Sequence, residues 1–320
     1  MRLTVDLSSQ FIHMIQSRQR GRRLEVTGFA RAQTPEGCVK NGIVVNAGAL
    51  GDALRALALE NGFRAKKLGF AVASPAISFH ELTVPAVRPR ELRKLLVEET
   101  SQLNPSKKES LMDYVILDSL TEEGARMLRV WCVIIPRTLV EGYREAALKG
   151  GFTPVSFDVA ANAAYKAYLL DEQFSKESTT IFAGVREDEV CLSLFEGSKG
   201  RFYRGAPIAA AGGAVENEFI LSSFVSAAEA DAESRRERMV RTVSGQLSKL
   251  VQFQLMKNRE MPVTRVCLCS DKAGERQLAS ELGELLRIEA APAGPPAFVR
   301  APDGFDYSEY FYAVGAAIRI

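Results

Sequence analysis

The sequence predicts an α/β protein of two lobes, each opening with a three-strand meander that leads into alternating helices and strands. Three observations carry this. Short segments of alternating apolar residues cluster over residues 3–34 and recur from Thr179 to Arg204. The stretches after each cluster carry apolar residues at three- and four-residue steps, the helical period. The length, 320 residues, suits about two domains at roughly 150 residues each.

In order along the chain, Leu3–Asp6 is a strand, Leu7–Gln10 a turn, and Phe11–Gln16 resumes an extended pattern. Arg18–Arg23 is a basic turn around Gly21, and Leu24–Ala32 a third strand that Pro35-Glu36-Gly37 ends. Residues 48–61 form a helix with Leu50, Leu54, Leu57 and Ala58 on one stripe and Asn61-Gly62 as its stop. Leu68–Ala73 and Ile77–Val84 are strands. Pro89 opens a helix marked by Leu92, Leu95, Leu96 and Leu103, since a first-turn position needs no N–H. Asp113–Asp118 and Met127–Ile135 pair as strands. Arg137–Lys149 is a helix stopped by Gly150-Gly151, Pro154–Asp158 a strand, and Ala160–Leu170 an Ala-rich helix. The pattern then restarts with strands at Thr179–Ala183 and Val190–Phe195 and a third from Gly200, then a helix near Val215–Val225. A long helix carries Met239, Val243, Leu247, Leu250 and Leu255. Val263–Cys269 is a strand, Ala273–Leu286 a helix, Ala291–Pro302 a Pro/Gly-rich connection and Tyr310–Ile318 a last helix.

Composition narrows the function classes. Apolar residues make up 47% and charged residues 25%, and the net charge is +2. That excludes a disordered or collagenous chain and argues against nucleic-acid binding driven by net charge. The five cysteines are odd in number with no Cys-x-x-Cys, so neither a disulfide framework nor a zinc ribbon is signalled. No signal peptide and no ~20-residue apolar span is present, which leads to the expectation of a cytoplasmic protein without direct membrane insertion. His13 and His80 lack partners at metal spacing, Trp131 reads as core, and Gly-x-Ser-x-Gly, His-Glu-x-x-His and Walker A motifs are absent.

Two βββαβα halves point to the architecture shared by actin, sugar kinases and heat-shock ATPases, a ribonuclease H-like two-lobed fold with an insertion in the first half. Several motifs strengthen this: Pro35-Glu36-Gly37-Cys38-Val39-Lys40-Asn41-Gly42-Ile43-Val44, Leu82-Thr83-Val84-Pro85 with Glu91-Leu92, and Gly151-Phe152-Thr153-Pro154-Val155 before Phe157-Asp158-Val159. With Pro136–Tyr143 and Gln246–Arg259, they resemble the actin-like PilM family of type IV pilus assembly proteins, related to FtsA and the cytoplasmic domain of GspL. The resemblance implies three parts. Residues 1–37 and 151–176, with a C-terminal helix over 305–320, form the first lobe. Residues 38–150 are an inserted partner-binding subdomain, and 177–304 the second lobe.

The resemblance further implies a scaffold at the inner face of the cytoplasmic membrane. It would hold the N-terminal peptide of a PilN-like single-span membrane protein, with a pilus motor ATPase as a second candidate partner. The family fold carries a Mg-ATP site between its lobes, where glycine-bearing hairpins present backbone N–H groups to phosphate and an Asp in each holds the metal shell. The matching remnant here is Asp6, Ser8, Ser9 and His13 in the first hairpin, Gly184 in the second, Gly212 and Gly213 after the third strand, and Ser270 at the adenosine strand. Ser8 stands for glycine, where φ > 0 would cost about 1–2 kcal/mol, and His13 stands for lysine. In the second hairpin Phe182 or Gly184 replaces the Asp, depending on register, and Asp158 is the other available carboxylate. The expectation is a pseudo-ATPase with no catalytic residues, no metal and no cofactor. The alternative is an ATP-binding or ATP-hydrolysing actin-like protein of the secretion or cell-division type.

Overall fold

The computed structural model describes residues 1–103, 109–171, 178–186, 189–197, 199–207, 232–270 and 275–319. The first half runs β1 (Arg2–Leu7), β2 (Phe11–Arg20), β3 (Arg23–Gln33), the short pair β4 (Val39–Lys40) and β5 (Ile43–Val44), α1 (Ala47–Glu60) and β6 (Lys67–Val72). It continues through β7 (Ser78–Pro85), α2 (Pro89–Leu103), β8 (Ser110–Glu122), β9 (Ala125–Pro136), α3 (Arg137–Lys149), β10 (Thr153–Val159) and α4 (Ala160–Leu170). The second half holds β11 (Thr179–Val185), β12 (Glu189–Glu196), β13 (Lys199–Pro207), α5 (Ala232–Lys257), β14 (Val263–Ser270), α6 (Glu275–Leu286), β15 (Glu289–Pro292), β16 (Val299–Arg300) and α7 (Phe311–Ala317).

A six-stranded sheet, β10-β6-β1-β2-β3-β16, forms the first lobe, and a five-stranded sheet, β13-β12-β11-β14-β15, the second. Each has an antiparallel meander on one side and parallel strands on the other. β1 is buried along its whole length, as a strand covered on both faces must be, so its polar Thr4 and Asp6 are buried too. α1 starts where the Asn46 side chain accepts a hydrogen bond from the Ala49 N–H at 3.1 Å.

The insertion is narrower than 38–150. β6 pairs in parallel with both β1 and β10, with Leu68 beside Leu3 and Pro154. Leu50, Leu54, Leu139 and Tyr143 from α1 and α3 share one core with Leu3, Val5 and Phe70. Only the sheet β7-β9-β8 and its covering helix α2 stand off the first sheet. The reason is that parallel pairing joins segments distant in sequence, which local periodicity does not reveal. Two other boundaries also move. Val299 pairs with Leu24, so β16 belongs to the first sheet rather than to the second lobe or to a plain connection. The last helix covers Phe311–Ala317, not the whole of 305–320. The helix expected near Val215–Val225 lies outside the described residues.

α7 is buried at every position and packs on α4, β1, β2 and β6. Its residues lie in a core that also takes Ile15 and Val26 from the first sheet and Phe182, Cys191 and Cys267 from the second. One apolar cluster therefore joins the lobes, and Phe311 stacks on Phe182 with ring centroids 5.0 Å apart.

Candidate functional site: a self-filled cleft and an aromatic sheet face

Strand direction places the β1–β2 turn and the end of β11 at the cleft. The first hairpin closes on itself. The Ser8 N–H donates to the Phe11 carbonyl at 3.0 Å, and Ser8 Oγ accepts from the Phe11 N–H at 3.0 Å and the Gln10 N–H at 3.3 Å. The Thr34 hydroxyl donates to the Ser8 carbonyl at 2.9 Å. Ser8 does not adopt positive φ, so the strain expected there is absent: its hydroxyl closes the turn as an ST motif, where glycine would have used backbone freedom. The amides of Ser8, Gln10 and Phe11 are thereby engaged within the turn. Ser9 sits between them, half-buried.

Across the cleft, Arg186 follows directly on β11. Its Nη2 donates to Asp6 Oδ1 at 2.5 Å, with the two side chains only 8% and 6% exposed, and Nη1 lies 3.5 Å from the Leu7 carbonyl. The guanidinium carbon is 5.6 Å from the Tyr312 ring centre. A cation from the second lobe thus engages the Asp6 carboxylate of the first. Asp158 is likewise engaged. It lies across β6 from Asp6, both in register with Ala71, and its Oδ2 is 2.6 Å from Lys166 Nζ while Asn162 donates to Oδ1 at 2.8 Å.

Two more residues of the expected set contact the C-terminal segment. Gly184 does not have positive φ; a Cβ there would stand 2.3 Å from Tyr312 Oη, so the glycine admits the tyrosine. His13 turns toward the C-terminal segment, with Nε2 3.2 Å from Glu309 Oε1 and its ring edge-on to Tyr310 at 5.4 Å. Arg31 donates to the same Glu309 oxygen at 2.9 Å. Burial by itself would raise the Glu309 pKa, but the His13 hydrogen bond and the His13 and Arg31 charges outweigh it, and the carboxyl is held below its ordinary range. Ser270 ends β14 opposite Val185 and is buried at the cleft end of the second sheet. Gly212 and Gly213 lie outside the described residues. The structure therefore brings Asp6, Ser8, Ser9 and Ser270 to the cleft end of the two sheets, and adds Arg186 and Tyr312. Arg186 is legible only as a basic residue two positions past Gly184 in an otherwise acidic turn; nothing local marks Tyr312.

A separate cavity of about 260 Å³ lies between α4, the second sheet and the 293–294 turn, lined by Asp171, Arg265, Cys267 and Tyr307 among others; none of the remnant residues lines it. Among the described residues no group of three or more His, Cys, Asp or Glu side chains is placed to hold a metal ion.

The inserted sheet offers a second surface. α2 covers one face through Val84, Leu92, Leu96, Val130 and Cys132. The other face carries Phe79 and Trp131, stacked at 5.2 Å and half-buried against the edge of the first-lobe core. Beside them Arg129 pairs with Asp118 at 2.5 Å and lies 3.6 Å from Glu81. β8 is an edge strand on which Val115 and Ile116 are 37% and 48% exposed.

No family model and no curated protein sequence matches the chain. Solved structures do. The structure described as a PilM–PilN type IV pilus biogenesis complex matches with a TM-score of 0.77 at 20% identity, covering 99% of this chain and 97% of that one. A Bacteroides thetaiotaomicron protein with actin-like ATPase fold and unknown function matches at 0.47 and 10% identity, covering 98% and 95%. The cytoplasmic domain of EpsL, an inner membrane component of the Vibrio cholerae type II secretion system, matches at 0.43 and 11% identity, covering 98% and 93%. No helix among the described residues is long and apolar enough to cross a membrane. The two meanders, the insertion and the bridging helix α7 together give this chain the actin-like fold, shared along its whole length with the type IV pilus protein PilM.

Proposed function

We propose that the chain is an actin-like scaffold of a type IV pilus or related secretion platform at the inner face of the cytoplasmic membrane. Its inserted sheet binds a short N-terminal peptide of a PilN-like single-span membrane protein, and its inter-lobe cleft turns over no nucleotide. The observation that carries the reading is the full-length likeness to a protein solved in complex with PilN. The Phe79–Trp131 face supports it: a half-buried aromatic pair next to an unpaired strand edge can take an extended peptide by backbone hydrogen bonds and side-chain pockets. The Asp6–Arg186 pair supports the second half, because ATP and its metal would have to displace a buried guanidinium before reaching Asp6.

Trp131 is the one tryptophan in the chain, so its fluorescence reports on this face directly. Titration with a synthetic N-terminal peptide of a PilN-like protein should give a saturable change. Trp131→Ala should weaken binding, followed by calorimetry, about tenfold or more. A silent titration by both methods would sink the partner reading. Micromolar affinity for Mg-ATP would replace the inactive-cleft reading by that of an ATP-binding actin-like protein.

A further inference from the structure

We infer that the end of the first lobe opposite the cleft is a surface for adsorption to an anionic lipid bilayer. The β2–β3 hairpin turns at Gly21, whose φ of +56° suits glycine, and carries exposed Arg20, Arg22 and Arg23. Strand register sets the neighbours of this hairpin. Arg2 pairs with Ser17, Lys67 with Thr153 and Val299 with Leu24, so these strand starts share one end. Exposed Lys66 and Lys67 enter there on the approach to β6. Arg319 is tied to the hairpin by its N–H, 2.7 Å from Gln19 Oε1. Glu25 is engaged by Arg18 at 2.7 Å; that hydrogen bond and the charges of Arg18, Arg20 and Arg300 hold it below its ordinary range, and Glu60, exposed at the end of α1, is a second carboxylate on this rim. The chain as a whole carries a net charge of only +2.

Apolar side chains share the rim. α1 and α3 end where β6 and β10 begin, and their last turns expose Leu59 (69%) and Leu148 (48%), with Met1 (63%) at the start of β1. Exposed aliphatic side chains set among arginines and lysines match the interfacial region of a bilayer, where alkyl groups enter the headgroup layer and cations meet phosphate. Single-stranded nucleic-acid surfaces instead favour aromatic stacking platforms. β1 separates this rim from Asp6 and the turn at Ser8 by roughly 15 Å, and the chain leaves for the inserted sheet from the end of β6 beside Asp6, at the cleft end. The inference therefore stands apart from the peptide-binding reading.

The experiment is co-sedimentation of the full chain, without peptide, with vesicles of about 30% phosphatidylglycerol in phosphatidylcholine and with phosphatidylcholine alone, at about 0.1 M and about 0.5 M salt. Partition should favour the anionic vesicles and fall at the higher salt. The triple variant Arg20→Glu, Arg22→Glu, Arg23→Glu should lose at least about a hundredfold, since each lost cation is worth roughly 1 kcal/mol at the surface and each added carboxylate is repelled by it. Leu59→Ser with Leu148→Ser should lose several-fold more while the salt dependence persists. Lys66→Glu with Lys67→Glu provides the same charge test should the triple variant fail to fold. Equal partition to neutral vesicles, or indifference to both charge reversals, overturns the inference. So does a duplex DNA of about 30 base pairs that binds more tightly than the vesicles and displaces them. The Trp131 peptide titration should be unchanged in the charge-reversed variants, which separates failure here from failure of the partner reading.

Discussion

Arg186 from the second lobe holds Asp6 of the first in an ion pair of 2.5 Å, sealed from solvent on both sides. This contact ties the second lobe to the first through one buried ion pair. Its energetics are asymmetric: the intact pair adds little over an apolar pair of the same shape, but either half alone is a buried unpaired charge.

Arg186→Ala should therefore destabilise the protein by about 3–5 kcal/mol in urea unfolding, and Asp6→Ala similarly. The apolar pair Asp6→Leu with Arg186→Met should recover most of that loss. A double-mutant cycle showing independent, additive effects would contradict the pairing.

Gly184 and Tyr312 form a matched set. Gly184→Ala should cost about 1–3 kcal/mol, because the new methyl group meets the ring and hydroxyl of a fully buried tyrosine. Tyr312→Phe should be neutral or slightly stabilising, since Tyr312 Oη is buried without a hydrogen-bond partner among the described residues. Thermal melts of both variants check this, and a large loss in Tyr312→Phe would reveal a partner for that hydroxyl.

Glu309 links the first sheet to the C-terminal segment through His13 and Arg31. Its folded pKa lies below the ordinary 4.5, so its contribution is complete above that value and is lost as pH falls through the lower folded one. Wild type should exceed Glu309→Gln in stability near neutral pH. The gap should close on acidification toward about pH 3. A gap that is independent of pH would show that the carboxylate charge contributes nothing.

All five cysteines are buried thiols outside any disulfide, and burial pushes the Cys132 thiol up to about 11 and the Cys267 thiol up to about 12. Native protein should leave them unreacted with a thiol reagent over minutes, and all five should react in guanidinium. Rapid reaction of any thiol in the native state would show local opening at that site.

Much of the fold was legible because it is local. Arg137–Lys149 and Ala160–Leu170 match their helices end to end, since a Gly-Gly stop and an Ala-rich run are written in adjacent residues. What was not legible depends on distant pairing. β6 reads as an isolated buried strand until β1 and β10 flank it, so the sequence alone extends the insertion over residues that belong to the first sheet. The same holds at the cleft. The substitutions at Ser8, His13 and Gly184 are visible in sequence, but their uses are not: a self-closed turn, a bond to Glu309 and room for Tyr312 each require a partner distant in sequence or a backbone geometry.

Arg2 donates to the carbonyl of Ala316, 314 positions further along, and to that of Ala317. A nascent polypeptide emerging from the ribosome must therefore carry β1 incompletely covered until α7, more than 300 positions further along, has been made. Binding of chaperones to that waiting surface, and early proteolysis when elongation stalls, follow from where α7 sits.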